Sequence, residues 1–127
     1  MQVKGIDFVI SHVTDTREAV RFYREVLGLD QAFVNDGVIS GDGSRNTWTE
    51  FDTHPVSLAL VQWDEQAGRP GIALAVDNVD EAVEELRRKD VEIVMEPVDS
   101  GSCRMAWVKD PWGNLLCIHR RNDGTCG

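Results

Sequence analysis

Three histidines and three cysteines are the side chains of this sequence best suited to hold a metal, carry a proton or attack carbon: His12, His54, His119, Cys103, Cys117 and Cys126. Cys117 and His119 are two residues apart and share a face if their segment is a strand. Side chains at that spacing lie about 6 to 7 Å apart, too far for a direct thiol–imidazole hydrogen bond unless the strand bends. His54 sits in the turn Asp52-Thr-His-Pro and is expected in solvent. The cysteines form no CxxC pair, and an odd, sparse set without an export signal fits reduced thiols in a cytoplasm. No Ser/His/Asp order, phosphate loop or paired-carboxylate motif is present, so the sequence offers little support for covalent or acid–base catalysis.

Two segments that must position these residues begin alike. Asp15-Thr-Arg-Glu18 and Asn78-Val-Asp-Glu81 each place a capping side chain three residues before a glutamate, the signature of a helix start. Ala19, Val20, Phe22, Tyr23, Val26 and Leu27 are spaced for one face of the first helix; Ala82, Val83 and Leu86 serve the second. The first helix stops at Gly28 and the second near Asp90. A strand-like run precedes each helix, Ile6 to Val13 and Ile72 to Val76. Each unit closes on a tight turn feeding an alternating strand, Asp52 to Trp63 and Asp110 to Arg121, which align without gaps. Loops are expected at Asn35-Asp-Gly and Ser40-Gly-Asp-Gly-Ser. The chain therefore reads as one α+β domain, residues 1–127, built by duplication. Module one covers about 1–64, a linker about 65–71, module two about 72–121, and a disordered tail 122–127.

The formal net charge of −9 would repel phosphate backbones and anionic bilayers, so neither nucleic acid nor a membrane surface is an expected partner. No apolar run approaches a membrane span, and the first ten residues, carrying Lys4 and Asp7, do not resemble a signal peptide. Composition thus points to an acidic, globular, cytoplasmic protein.

The run from His12 to Leu29, with its Asp-capped helix, Phe22-Tyr23 and Leu27-Gly28, resembles the first-unit signature of the vicinal oxygen chelate superfamily, which includes glyoxalase I, extradiol dioxygenases and bleomycin-resistance proteins. Asp110-Pro-Trp-Gly-Asn114 is similar to its second-unit turn, and Val76 to Ala82 to its second-helix start. These motifs are structural and name no activity. The resemblance implies two βαβββ modules whose strands form a curved mixed sheet around a cavity, with helices on the outer face (a glyoxalase-like fold). Leu58, Leu60, Leu116 and Ile118 would then pack under the helices, and residues of opposite parity would line the cavity.

Metal-dependent members place His, Gln or Glu at four positions, one on the first and last strand of each module. Carried over, those positions hold Phe8, Gly71, Ala59 and Cys117. Three of these donate nothing, and one thiol alone cannot hold a catalytic metal, so the usual centre is expected to be absent. A displaced site would have to draw on His12, Cys117 and His119.

The candidate ligand-contacting set is Phe8, Ile10, His12, Val61, Trp63, Arg104, Trp107, Cys117 and His119, with Arg104 able to meet an anion or to serve as a surface ion-pair residue. Four tryptophans against one tyrosine favour a flat or heteroaromatic ligand, although tryptophans also fill cores and subunit contacts. The orientation of Trp48 is open, and Trp112, at the variable position of its turn, belongs at a rim or interface. The preferred expectation is a metal-free, cofactor-free protein that binds a small organic molecule, aromatic or antibiotic-like, and forms a homodimer. A lyase, isomerase or dioxygenase with a displaced metal, and an accessory domain with a vestigial cavity, are the alternatives.

Overall fold

The computed structural model describes residues 1–39, 45–62, 69 and 71–126; along 33–39 and 45–46 only the backbone is described. The elements in chain order are β1 (Gly5–His12), α1 (Thr16–Arg21), β2 (Asp30–Ile39), β3 (Arg45–Asp52), β4 (Ser57–Gln62), β5 (Ile72–Ala75), α2 (Val79–Arg88), β6 (Glu92–Asp99), β7 (Cys103–Lys109) and β8 (Leu115–Arg121). Together the strands make one curved eight-stranded sheet in the order β2-β3-β4-β1-β5-β8-β7-β6.

The repeat seen in the sequence is the repeat of the sheet. β1 runs parallel to β4 and β5 parallel to β8, the first strand of each pair leading into its module's helix, while β2·β3·β4 and β6·β7·β8 are antiparallel meanders. The halves join where β1 meets β5 antiparallel. The expected fold class is therefore the observed one.

The second helix is held as its pattern requires. Asn78 Oδ1 accepts from the Glu81 amide at 3.0 Å, and Asp90 ends the helix at φ +61. Val79, Ala82 and Val83 pack with Val76, Ala106, Val108 and Ile118 on the outer face of the sheet, beside Leu86 and Leu116. Burying each such valine contributes about 1.5–3 kcal/mol.

The first helix departs from expectation. Asp15 caps it, its carboxylate accepting from the Glu18 amide at 3.2 Å, but after Arg21 the backbone widens into a π-type turn over Phe22–Val26. The Leu27 amide accordingly reaches back five residues to the Phe22 carbonyl at 3.1 Å. A wider turn advances by less than the roughly 100° per residue of an α-helix, so later side chains fall out of register with the inward face. Phe22, Val26 and Leu27, expected inside, are 47%, 67% and 52% exposed, and only Tyr23 stacks inward, against the buried Phe51.

Two loop expectations also change. Asn35, Asp36 and Gly37 lie within β2, where the register with β3 shifts between Asp36 and Val38; glycine suits such an irregularity. Residues 122–126, expected to lack order, fold back instead: the Asn122 amide bonds Ser102 O at 3.0 Å and Lys4 Nζ reaches Gly124 O at 3.3 Å. The 40–44 loop and most of the 65–71 linker lie outside the described residues. No described helix is long and apolar enough to cross a membrane.

Candidate functional site

The concave face of the sheet gathers alternate residues of seven strands. Phe8 and Ile10 of β1, Ala59 and Val61 of β4, Ala73 of β5, Trp107 of β7, and Leu115 and Cys117 of β8 form one buried apolar cluster, with Trp48, Met95 and Met105 packed against it. Period-two alternation places these residues on one side, and the β1–β5 seam brings the two modules' sets together. The parity of Trp48, open from sequence, is settled by its pairing with Val61 and its edge-on contact with Phe8, centroids 5.5 Å apart.

Of the nine sequence candidates, Phe8, Ile10, Val61, Trp107 and Cys117 meet in this cluster. His119 joins them, its ring 5.1 Å from that of Phe8. His12 shares the face but lies four residues along β1 from Phe8, about 13 Å of strand. Arg104 is a correction: it turns to the outer side and clasps Asp80 of α2 through two bonds of 2.6 and 2.8 Å. As neighbour of Cys103 and Met105 on β7 it has the opposite parity, so it cannot face the concave wall. Trp63 lies outside the described residues. Trp112 is 82% exposed and His54 is exposed beside Asp52. Two hollows of about 530 Å³ lie elsewhere, one beside the start of α2 and one along α1.

A polar group missed in the sequence lies at one end of that wall. Between Ile6 and Phe8 the β1–β5 register skips a residue, leaving Asp7 as the extra one. Such a bulge lets neighbouring side chains turn the same way, so Asp7 is fully buried alongside Phe8, whereas strict alternation would have sent it to the other face. His119 Nδ1 donates to Asp7 Oδ2 over 2.6 Å, and Arg121 Nη1 stands 4.0 Å from the other carboxylate oxygen. On β7 Met105 pairs with His119, and Cys103, two residues along on the same strand face, has its thiol 2.8 Å from Ser100 Oγ in the turn ahead of β7.

Their electrostatics are mutual. Burial pulls the His119 pKa down, but the bonds to Asp7 and Cys103 and the charges on both outweigh it, and the imidazole is pushed up to about 9. For Cys103, burial works upward; the His119 and Ser100 bonds and the His119 charge prevail over it and over the opposing charge of Glu50, so the thiol lies below its ordinary range. Cys117 goes the other way, raised well up by burial and by the charges of Cys103 and Asp7. Glu50, opposite Ala59 on β3, was likewise not singled out from sequence. The signal for Asp7 was present: an aspartate inside the apolar run Gly-Ile-Asp-Phe-Val-Ile.

The profile of the Glyoxalase/Bleomycin resistance protein/Dioxygenase superfamily matches residues 5–118. The chain belongs to that superfamily. Among solved structures, it is similar to a hypothetical protein, BH1468 from Bacillus halodurans C-125, at 16% identity and TM-score 0.71, covering 97% of this chain and 98% of the other. Methylmalonyl-CoA epimerase from Mycobacterium tuberculosis matches at 22% identity and TM-score 0.70, over 92% and 87%. A Streptomyces coelicolor methylmalonyl-CoA epimerase variant, in complex with 2-nitronate-propionyl-CoA, matches at 20% and 0.74, over 99% and 100%. At these identities the likeness shows the fold alone. The comparison with curated proteins returned no match.

The superfamily's metal does not fit the residues that stand at its four positions. Phe8, Ala59 and Cys117 are buried in the apolar cluster, and a Cβ built on Gly71 would lie 2.7 Å from the Leu115 carbonyl oxygen, so no donor side chain enters there without moving β8. The displaced set of His12, Cys117 and His119 is not assembled either, since among the described residues no three His, Cys, Asp or Glu side chains converge as a metal site.

Proposed function

We propose that this chain is a metal-independent member of its superfamily that binds a small organic molecule against the concave face of the sheet, as a sequestering or carrier protein. The observation that carries this reading is the exchange of the four donor positions for Phe8, Ala59, Gly71 and Cys117, within a wall that also holds Trp48, Trp107, Met95 and Met105. Flat rings and polarizable sulfur suit a planar or heteroaromatic ligand, which would enter by displacing the mobile thioethers first. Two structures of this fold have been solved with acyl-CoA ligands, one with methylmalonyl-CoA and one with 2-nitronate-propionyl-CoA. The proposed ligand contacts are Phe8, Ile10, Val61, Trp107 and Cys117, with His12 and His119 completing the set.

The test is a thermal-shift screen of planar aromatic compounds on the purified protein. A saturable rise in Tm that Trp107→Ala abolishes is the expected result, by mass action on the folded state. Metal analysis of protein purified without chelator is its complement. A stoichiometric transition metal, whose removal lowers Tm, would overturn the metal-independent reading, and a screen with no shift at all would favour a vestigial cavity. The same proposal includes a cytoplasmic homodimer, in keeping with the assembly habit of the superfamily. Sedimentation at micromolar concentration giving only monomer would overturn that part.

A further inference from the structure

We propose that Cys103 is a nucleophilic thiol, with His119 as its base and Asp7 as the residue that positions His119, and that it adds covalently to α,β-unsaturated carbonyl compounds with an apolar body. The geometry has three parts. The bulge at Asp7 fixes a carboxylate 2.6 Å from His119 Nδ1, which leaves Nε2 as the ring's other nitrogen, and the β7–β8 register sets His119 opposite Met105, two residues along the same strand face from Cys103. The thiol stands at the first residue of β7, in the mouth of the β6–β7 turn, where Ser100 Oγ holds it at 2.8 Å and its residue is 7% exposed. Beside it, Met105 and Trp107 continue the same strand face into the apolar cluster with Phe8, a surface for the ligand's body.

Conjugate addition requires a nucleophile and a proton and no more. The Cys103 proton passes to His119 Nε2, and the sulfur lone pair forms a bond to the β-carbon. The C=C electrons move to the enolate, whose α-carbon takes the proton from His119. Nothing leaves and nothing is oxidised; S–H has added across the double bond. The charged and titratable groups around His119 are Asp7 from β1, Cys103 from β7, and Cys117 and Arg121 from β8. Glu50 of β3 bears on Cys103, and Cys126 of the tail meets Asp7. The assignment shares the apolar face with the binding proposal, but labelling of the thiol by a small maleimide is read separately from any Tm shift by an aromatic ligand, so each can fail alone.

The probe is N-ethylmaleimide, limiting, on the folded full chain, with adducts located by peptide mass mapping. Cys126 is exposed and Cys117 buried, so the protein carries its own comparators. The expected result at pH 7 is labelling of Cys103 at least tenfold faster than Cys126, with Cys117 untouched until denaturation. The Cys103 rate should reach its half-maximum at lower pH than the Cys126 rate. His119→Gln should slow Cys103 at least tenfold and move that midpoint upward; if it fails to fold, the wild-type pH profile decides alone. Labelling of Cys126 first, with Cys103 modified only after denaturation, or pH profiles that coincide, would overturn the assignment.

Discussion

Asp15 and Asn78 each accept a hydrogen bond from the amide three residues on, at 3.2 and 3.0 Å, so the two helices begin with the same chemistry. They are then held by different means. α2 sinks Val79, Ala82 and Val83 into the outer face of its half of the sheet. α1 buries no residue fully: Thr16 bonds Gln62 through its amide and hydroxyl at 3.0 and 2.8 Å and contacts Thr47, while Phe22, Val26 and Leu27 stand outward. The sheet beneath explains the contrast. Under α2 lie Ala106, Val108 and Ile118; under α1 lie Thr47, Thr49 and Gln62 beside Phe51 and Leu60. Capping decides where a helix begins, and the face it lands on decides how firmly it stays.

The contrast breaks most visibly at the buried valines. Val83→Asp places an unpaired charge in a dry cluster and is expected to cost more than ~4 kcal/mol, enough to lose the cooperative urea transition. Val26→Asp, at a comparable apolar position of the first helix, should change stability by less than ~0.5 kcal/mol in the same measurement. Equal losses would mean that the first helix is as deeply seated as the second.

The seam between the halves comes next. Asp7→Ala leaves the buried His119 without its carboxylate and is expected to cost about 3–5 kcal/mol, read from the urea midpoint. Its pH signature is cleanest in a Cys103→Ala background, where the opposing titration of the thiol is gone. There the Asp7 bond and charge are the influences that raise His119 against burial, so a folded state in which they prevail keeps a proton that the unfolded state releases near pH 6.5. That stabilisation is complete below about pH 6.5 and is lost as pH rises through the folded-state value. Tm should fall as pH rises above 6.5, and adding Asp7→Asn should flatten the slope. A flat profile before that second change would remove the charge from the Asp7–His119 pair.

The smallest effect sharpens the comparison of the caps. Asn78→Ala should cost about 1 kcal/mol of global stability, because α2 cannot fray without exposing its valines. Asp15→Ala should cost less globally and appear in hydrogen exchange as faster opening of residues 16–21 alone. A global loss from Asp15→Ala at least as large as that from Asn78→Ala would reverse the ranking of the two helices.

The duplication, both caps, the turn at Asp110 and the inert residues at the superfamily's donor positions were legible in the sequence, because each is set by local chemistry or by period-two alternation. The concave placement of Phe8, Val61, Trp107 and Cys117 followed from the same parity. Parity failed where the backbone inserts a residue: the bulge that turns Asp7 inward and the widened turn that swings Val26 outward are one-residue shifts that a regular period does not encode. Arg104 was misplaced for a different reason, since its choice between ligand and Asp80 depended on how α2 lies over β7. The composition of the site was thus written in the chain, while the meeting of Asp7, His119 and Cys103 depended on three strands closing against one another in a register that no local signal specifies.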